Sequence, residues 1–399
     1  MNKLIAMLWA GLAVSAFAGA QFEVKNVEAH QRYPWNGKVD IDFLIDCADG
    51  AAEFDVTVEC TDHVGGTNVM MKTIKKNDIG ENATRFTLQK GRHRLVWNAD
   101  VDCPNVKLAN ISFAVFAKLL GEEDTADYLI IDLSGGPEAT TYPVSYRTGI
   151  PTDGWTDEYK TTKLVMRKCP AGKFINTYNG GEVTLTKDFF AGVFEITQKQ
   201  WLFVMGALPS SLQNEWNHYG VGDLYPVYYV SYNDIRGNSN GSRWPASPAV
   251  DTKSFIGKLR AKTGLNELDL PTQAQWECAC RAGTTTTYNV GDGETALMAA
   301  GWYSGNAGGT THPVGRKTEN AWGIYDMHGN VEEWTLDWKD YSLSLSGIDP
   351  MGALSGTLRI LRGGSWIQDA YISASSCDSN WYPSSSDGYV GFRLFRTCP

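Results

Sequence analysis

Positive charge is scarce in this chain. Only 35 Lys and Arg stand against 45 Asp and Glu, for a formal net charge of −10, and no basic block interrupts the sequence. Nucleic-acid binding through phosphate contacts is thereby excluded, because that mode needs clustered cations. Histidine is sparse as well, at six residues. No H-E-x-x-H helix and no nucleophile elbow with Ser-His-Asp partners occurs, and His30, His63, His93, His312 and His328 stand isolated. Beyond residue 20 no apolar run has the length of a transmembrane helix.

What is there begins with an export signature. Lys3 gives a positive start, Leu4 to Phe17 is apolar, and Ala18-Gly19-Ala20 forms a small-residue cleavage site before Gln21. The expected location is secreted, periplasmic or in the cell envelope. Eight cysteines follow, and an oxidising compartment permits disulfides. Their connectivity is open; Cys47, Cys60 and Cys103 leave room for one pair in the first half. Cys278 and Cys280 lie on an expected helix, facing different ways, and read as buried thiols rather than a zinc set.

At 399 residues the chain has room for two domains. Residues 21–135 alternate apolar and polar over short runs, as in Val39-Asp-Ile-Asp-Phe-Leu-Ile45 and Glu53-Phe-Asp-Val-Thr-Val-Glu59. Further runs follow at 84–88, 93–97 and 111–117, separated by Gly/Asn/Asp clusters. The pattern predicts an antiparallel β-sandwich, immunoglobulin- or fibronectin-like, serving as spacer or adhesion module. Residues 136–163, rich in Pro, Gly and Thr, read as a linker. Residues 164–399 read as an irregular α+β domain with short helices at 197–205, from Ser231, across 251–263 and at 272–281.

Fourteen Trp and 41 Gly suit a loop-rich fold pinned by aromatic packing. They are densest in Asn320-Ala-Trp-Gly-Ile-Tyr-Asp-Met-His-Gly-Asn-Val-Glu-Glu-Trp-Thr-Leu-Asp-Trp338, followed by Leu361-Arg-Gly-Gly-Ser-Trp366 and Gly391-Phe-Arg393. Asp326 and Glu333 bracket a glycine turn, a plausible oxygen cage for a hard cation such as calcium. Together with Phe190-Ala-Gly-Val-Phe-Glu-Ile-Thr-Gln-Lys-Gln-Trp201, Pro226-Val-Tyr-Tyr-Val-Ser-Tyr-Asn-Asp234 and Leu270-Pro-Thr-Gln-Ala-Gln-Trp-Glu-Cys-Ala-Cys-Arg-Ala-Gly-Thr284, these words resemble the formylglycine-generating enzyme family, the sulfatase-modifying factor domain, over residues 164–396. That resemblance implies a C-type-lectin-like fold.

It also implies a structural Ca²⁺ held by the side chains of Asp326 and Glu333 and the carbonyls of Gly329 and Val331. The family's oxidase converts a substrate cysteine to formylglycine with O₂, using two cysteines that bind copper(I). Their positions here hold Gln368 and Ser373. Ser365 matches the family's active-site serine, and Glu332 stands where an active-site tryptophan is expected. Oxidase chemistry and copper are therefore not expected, and no catalytic residue is assigned.

Residues 367–389 are rich in Tyr, Ser, Asp, Asn and Trp, the composition of adaptable binding loops. Asp369, Tyr371, Asp378, Asn380, Trp381, Tyr382, Asp387 and Tyr389 are the candidate contacts for a protein or glycan ligand. The loop's position between fixed words also resembles that of variable proteins diversified by retroelements. The expected function is an exported, catalytically silent ligand-binding or display module. The alternatives are a sulfatase-modifying-factor-type oxidoreductase acting on a protein cysteine, and a structural envelope protein.

Overall fold

The computed structural model describes residues 22–32, 36–47, 52–63, 67–104, 111–176, 181–213, 218–238, 244–343 and 345–398. The expected signal segment, 1–20, lies outside them. Among the described residues no helix is long and apolar enough to cross a membrane. The chain divides into two compact units between Thr125 and Ala126.

The first unit is built of antiparallel strands. One sheet runs in the order Phe22–Gln31, Lys38–Cys47, Gly91–Asn98, Ile74–Lys76. In the other, Glu53–Asp62 pairs with Ile111–Leu119 and also with Thr67–Val69 and Arg85–Gln89. Period-two patterning dictates which side chains enter the core. Ile41, Phe43 and Ile45 are buried, whereas Asp42, Leu44 and Asp46 between them are not. They share one core with Phe54, Val56, Leu95, Trp97, Phe113 and Val115, drawn from both sheets. The Asn77-Asp78 turn takes left-handed φ values of 50° and 62°, as short polar side chains allow.

The second unit is mixed α+β. Its main sheet runs Val144–Arg147, Tyr128–Asp132, Lys163–Cys169, Phe189–Gly192, Phe395–Thr397, Leu268–Asp269, with antiparallel neighbours throughout. Two of these strands lie in the stretches read as first-domain end and linker. Tyr128-Leu-Ile-Ile131 is apolar at every position because all four side chains are buried, as in a strand covered on both faces. Its partner Lys163–Cys169 lies beyond the Pro/Gly-rich segment, so a reading by composition cannot see the pairing. A second sheet runs Asp378–Trp381, Arg359–Arg362, Glu332–Trp338, Val390–Gly391, with the last pair parallel.

The helices form where their caps are written. Thr197 and Gln200 close a capping box on Gln198–Met205, Ser231 and Asp234 on Tyr232–Arg236, and Thr272 and Gln275 on Gln273–Arg281. Ser254 caps Phe255–Thr263, shorter than the stretch expected from 251. At the end of Gln273–Arg281 both Ala282, φ 45°, and Gly283, φ 91°, take left-handed values. Cys47, Cys60 and Cys103 are free thiols, so the pair for which the first half leaves room does not form.

Candidate functional site

The Gly-Asn turn is held between strands. Gly329, at φ 80°, accepts no Cβ: one placed there would stand 1.9 Å from the carbonyl oxygen of Trp302. This close approach is the physical reason for glycine. Asp326, left-handed at φ 56°, accepts the Gly315 N–H through Oδ2 at 2.6 Å, while its buried Oδ1 has no partner. Glu333 accepts the indole N–H of Trp276 at 2.6 Å and is gripped by Arg393, Nε lying 2.7 and 2.8 Å from its two oxygens. Val331 donates its N–H to Glu195 at 3.1 Å, and Asn330 donates to the same carboxylate at 2.6 Å.

Three carboxylates, Glu195, Asp326 and Glu333, thus surround one guanidinium, and all four side chains are buried. Burial, then repulsion from Asp326 and Glu333, raises Glu195 well above the usual carboxylate range. Burial raises Asp326 to about 6, against the Gly315 hydrogen bond and the attraction of Arg393 and Lys160. Nothing in the sequence singles out Glu195; its partners lie about 135 positions away, so no local pattern announces it. Among the described residues no group of three or more His, Cys, Asp and Glu side chains stands as a metal cage.

Beside this turn lies the wall where the resemblance places the thiols. Ser365 donates to Gln368 Oε1 at 3.2 Å, Gln368 hydrogen-bonds Glu332, and Ser379 donates to Glu332 Oε1. Burial raises Glu332 to about 7, opposed by the bonds from Ser379 and Gln368. Ser373 is fully buried, and its Oγ has no partner. Its carbonyl accepts from His328 Nδ1 at 2.7 Å, while His328 Nε2 accepts the Asn289 N–H at 3.0 Å. Burial lowers His328 to about 4, so it stays neutral and ties two loops rather than shuttling protons. Cys377 is half-buried, and burial pushes its thiol up. The wall carries a hydrogen-bonded polar chain of Ser365, Gln368, Glu332 and Ser379.

The loop residues divide into two sets. Asp369, Tyr371 and Tyr382 are exposed, the tyrosines at 68% and 58%. The others are partly committed. Asp378 pairs with Lys339 at 2.6 Å. Asn380 and Trp381 sit opposite Ile360 and Arg359 in the sheet, and Trp381 stacks on Tyr389 with ring centres 5.7 Å apart. The Asp387 carbonyl accepts the Tyr229 N–H at 2.9 Å. Beneath the loop, Arg362 and Arg281 share the buried Glu277 at 2.6 and 2.8 Å, and Arg362 donates to the carbonyls of Ser375, Ser376 and Cys377. A rigid charged floor therefore carries exposed aromatic tips.

The model of the sulfatase-modifying factor enzyme 1-like domain matches residues 157–398. A protein named chaperone protein LppX, from Paenibacillus barcinonensis, is 29% identical over 246 residues, covering 56% of this chain and 84% of its own. The formylglycine-generating enzyme of Thermomonospora curvata is 28% identical over 221 residues, 48% of this chain and 62% of that protein. The mouse formylglycine-generating enzyme is 30% identical over 219 residues, 48% of this chain and 50% of its own. The chain thus spans between half and two-thirds of these enzymes. Among solved structures, Treponema denticola variable protein 1 is 27% identical with a TM-score of 0.48, covering 59% of this chain and 96% of that one.

Proposed function

The chain belongs to the sulfatase-modifying factor enzyme 1-like family, and from that premise we propose that it is an exported, catalytically silent member that binds a protein or glycan ligand through residues 367–389. One observation carries this reading: Gln368 and Ser373 hold the thiol positions, and Gln368 is tied into a hydrogen-bonded chain with Ser365 and Glu332. Neither side chain supplies a thiolate, the form that takes up copper(I) and reacts as a nucleophile. Exposed Tyr371 and Tyr382 present large, rigid contact area at low entropic cost. The name of the Paenibacillus relative, a chaperone, fits action through contact with another polypeptide. The C-type-lectin-like reading of the second unit and the immunoglobulin- or fibronectin-like reading of the first complete the picture of a binding head on a β carrier. Genetic diversification of the loop is part of the same proposal.

The copper-loaded full chain is expected to form no aldehyde on a Cys-x-Pro-x-Arg peptide under O₂. On a glycan and envelope-protein array, the double substitution Tyr371→Ala and Tyr382→Ala is expected to lower capture at least tenfold with the thermal midpoint kept. Aldehyde formation restores the oxidoreductase reading. Capture indifferent to the two tyrosines favours the structural envelope protein.

A structural Ca²⁺ belongs to this proposal as well. Its support is Asp326 Oδ1, a buried oxygen without a partner; Glu333 would exchange its bonds to Arg393 and Trp276 for the ion. Asp326 and Glu333 would hold the ion with the carbonyls of Gly329 and Val331, and its charge would fix the turn. Calcium at about a hundred times its dissociation constant is expected to add about 2.7 kcal/mol, read as a rise in thermal midpoint that Asp326→Ala abolishes. The rise should shrink below about pH 6, where Asp326 takes up a proton. An unchanged midpoint at saturating calcium removes the ion from the proposal.

A further inference from the structure

Residues 367–389 contain Asp369, Asp378 and Asp387 and no lysine, arginine or histidine. Asp378 is paired with Lys339 at 2.6 Å. Asp369 is exposed and opens the turn Ala370–Ser373, from which Tyr371 projects into solvent. Ile367, 53% exposed, stands two positions before Asp369. A short helix, Glu294–Ala300, packs against this turn: its Ala296 and Leu297 share an apolar cluster with Ala370 and Ala374. Because Leu297 and Ala300 are buried, Glu294 and Met298, four positions apart, share an exposed flank of the helix, with Met298 49% exposed.

The charges around these apolar side chains have one sign. Glu294 accepts the Tyr303 hydroxyl at 2.6 Å, and Asp369 accepts the hydroxyl of the next residue, Ser304, at 3.4 Å. Asp292 accepts the N–H and hydroxyl of Thr287, both at 2.7 Å, and the Thr287 carbonyl in turn takes the Ser375 N–H. Those two bonds hold Asp292 below the usual carboxylate range. Three exposed carboxylates therefore surround the turn, each fixed by neutral donors. Among the described residues none of the three has a lysine or arginine partner. The nearby cations are spent elsewhere. Arg281 and Arg362 are buried beneath the loop on Glu277. Lys317 serves the other end of the helix, its Nζ 2.6 Å from the Met298 carbonyl and 3.8 Å from the centre of the Trp302 ring.

An exposed tyrosine face and apolar side chains set among unpaired carboxylates are complementary to a guanidinium or ammonium on an apolar stem, through charge and through the ring quadrupole. We propose that this surface docks a polypeptide segment in which arginine or lysine alternates with apolar residues, an inference that rests on the reading of residues 367–389 as a binding loop and narrows its ligand.

The probe is a fluorescein-labelled peptide of alternating arginine, leucine and glycine, beside the same peptide with glutamate or serine in place of arginine. Fluorescence anisotropy on the full chain is expected to show saturable binding of the arginine peptide alone. The triple substitution Asp292→Asn, Glu294→Gln and Asp369→Asn keeps an acceptor for every donor, and it should weaken that peptide at least tenfold with the thermal midpoint kept. Glu81→Gln, Glu138→Gln and Asp153→Asn together remove as much charge from exposed positions elsewhere. That control should bind like the native chain, which separates docking from attraction to the chain's net charge of −10. The proposal is overturned by the absence of saturable binding, by equal binding of the three peptides, or by equal losses in the two triple variants. Array capture that falls with Tyr371→Ala and Tyr382→Ala but not with the first triple substitution would also overturn it, while leaving the loop itself a binding site.

Discussion

Replacing Arg393 with methionine should lower the unfolding free energy by roughly 3–5 kcal/mol, the range seen when one partner of a buried ion pair is removed. The side chain is fully buried. Its Nε lies 2.7 and 2.8 Å from the two oxygens of Glu333, Nη1 donates to the Gly192 carbonyl at 3.0 Å, and Nη2 to the carbonyls of Tyr325 and Asp326 at 2.9 and 3.2 Å. Methionine refills the volume but leaves Glu333 without its counter-charge beside Glu195 and Asp326. Lysine keeps the charge but cannot reproduce the planar fork, so Arg393→Lys should fall between. Urea unfolding at pH 7 measures both. A loss under about 1 kcal/mol for the methionine variant would mean that the carboxylates shed their charge without needing the guanidinium.

The second large effect has the opposite sign. Glu332→Gln is expected to stabilise the protein at pH 8 by up to about 3 kcal/mol, with the gain fading to nothing near pH 5. Burial raises the Glu332 carboxyl from 4.5 to about 7. Between those values the folded chain holds a proton that the unfolded chain has released, so native stability falls as pH rises through this window and levels off above it. Glutamine keeps an acceptor for Ser379 and carries no charge to desolvate. Asp326 and Asp337, raised by burial to about 6 and about 7, titrate in the same window. The readout is therefore the difference between variant and native chain across pH. Cys377 and Tyr389 also face Glu332, and burial pushes both above their ordinary values, so they stay protonated throughout. A difference independent of pH would show that Glu332 is not the titrating group.

These residues mark how far the sequence could be read. Thr197, Ser231 and Thr272 act on backbone N–H groups three positions on, so a local pattern announces them. The alternation in Lys38–Cys47 is likewise local, because one face of that strand meets the core. Asp326 and Glu333 were legible as carboxylates bracketing a glycine turn. The pairing of Tyr128–Asp132 with Lys163–Cys169 was not, since an all-apolar run gives no face and names no partner. Glu195 and Arg393 stand in words that the sequence displays, but their partners were not legible for a related reason: those groups lie tens to hundreds of positions away. The wall was half legible: the sequence displays Gln368 and Ser373, but not that Gln368, Ser365, Glu332 and Ser379 would join into one chain.

Phe395–Thr397 is an inner strand, bonded to Phe189–Gly192 on one side and Leu268–Asp269 on the other. With this stave displaced, Phe189–Gly192 and Leu268–Asp269 would face each other across an empty slot. A proline placed within the stave, which removes a ladder hydrogen bond, should therefore disturb both neighbours at once rather than fray an edge.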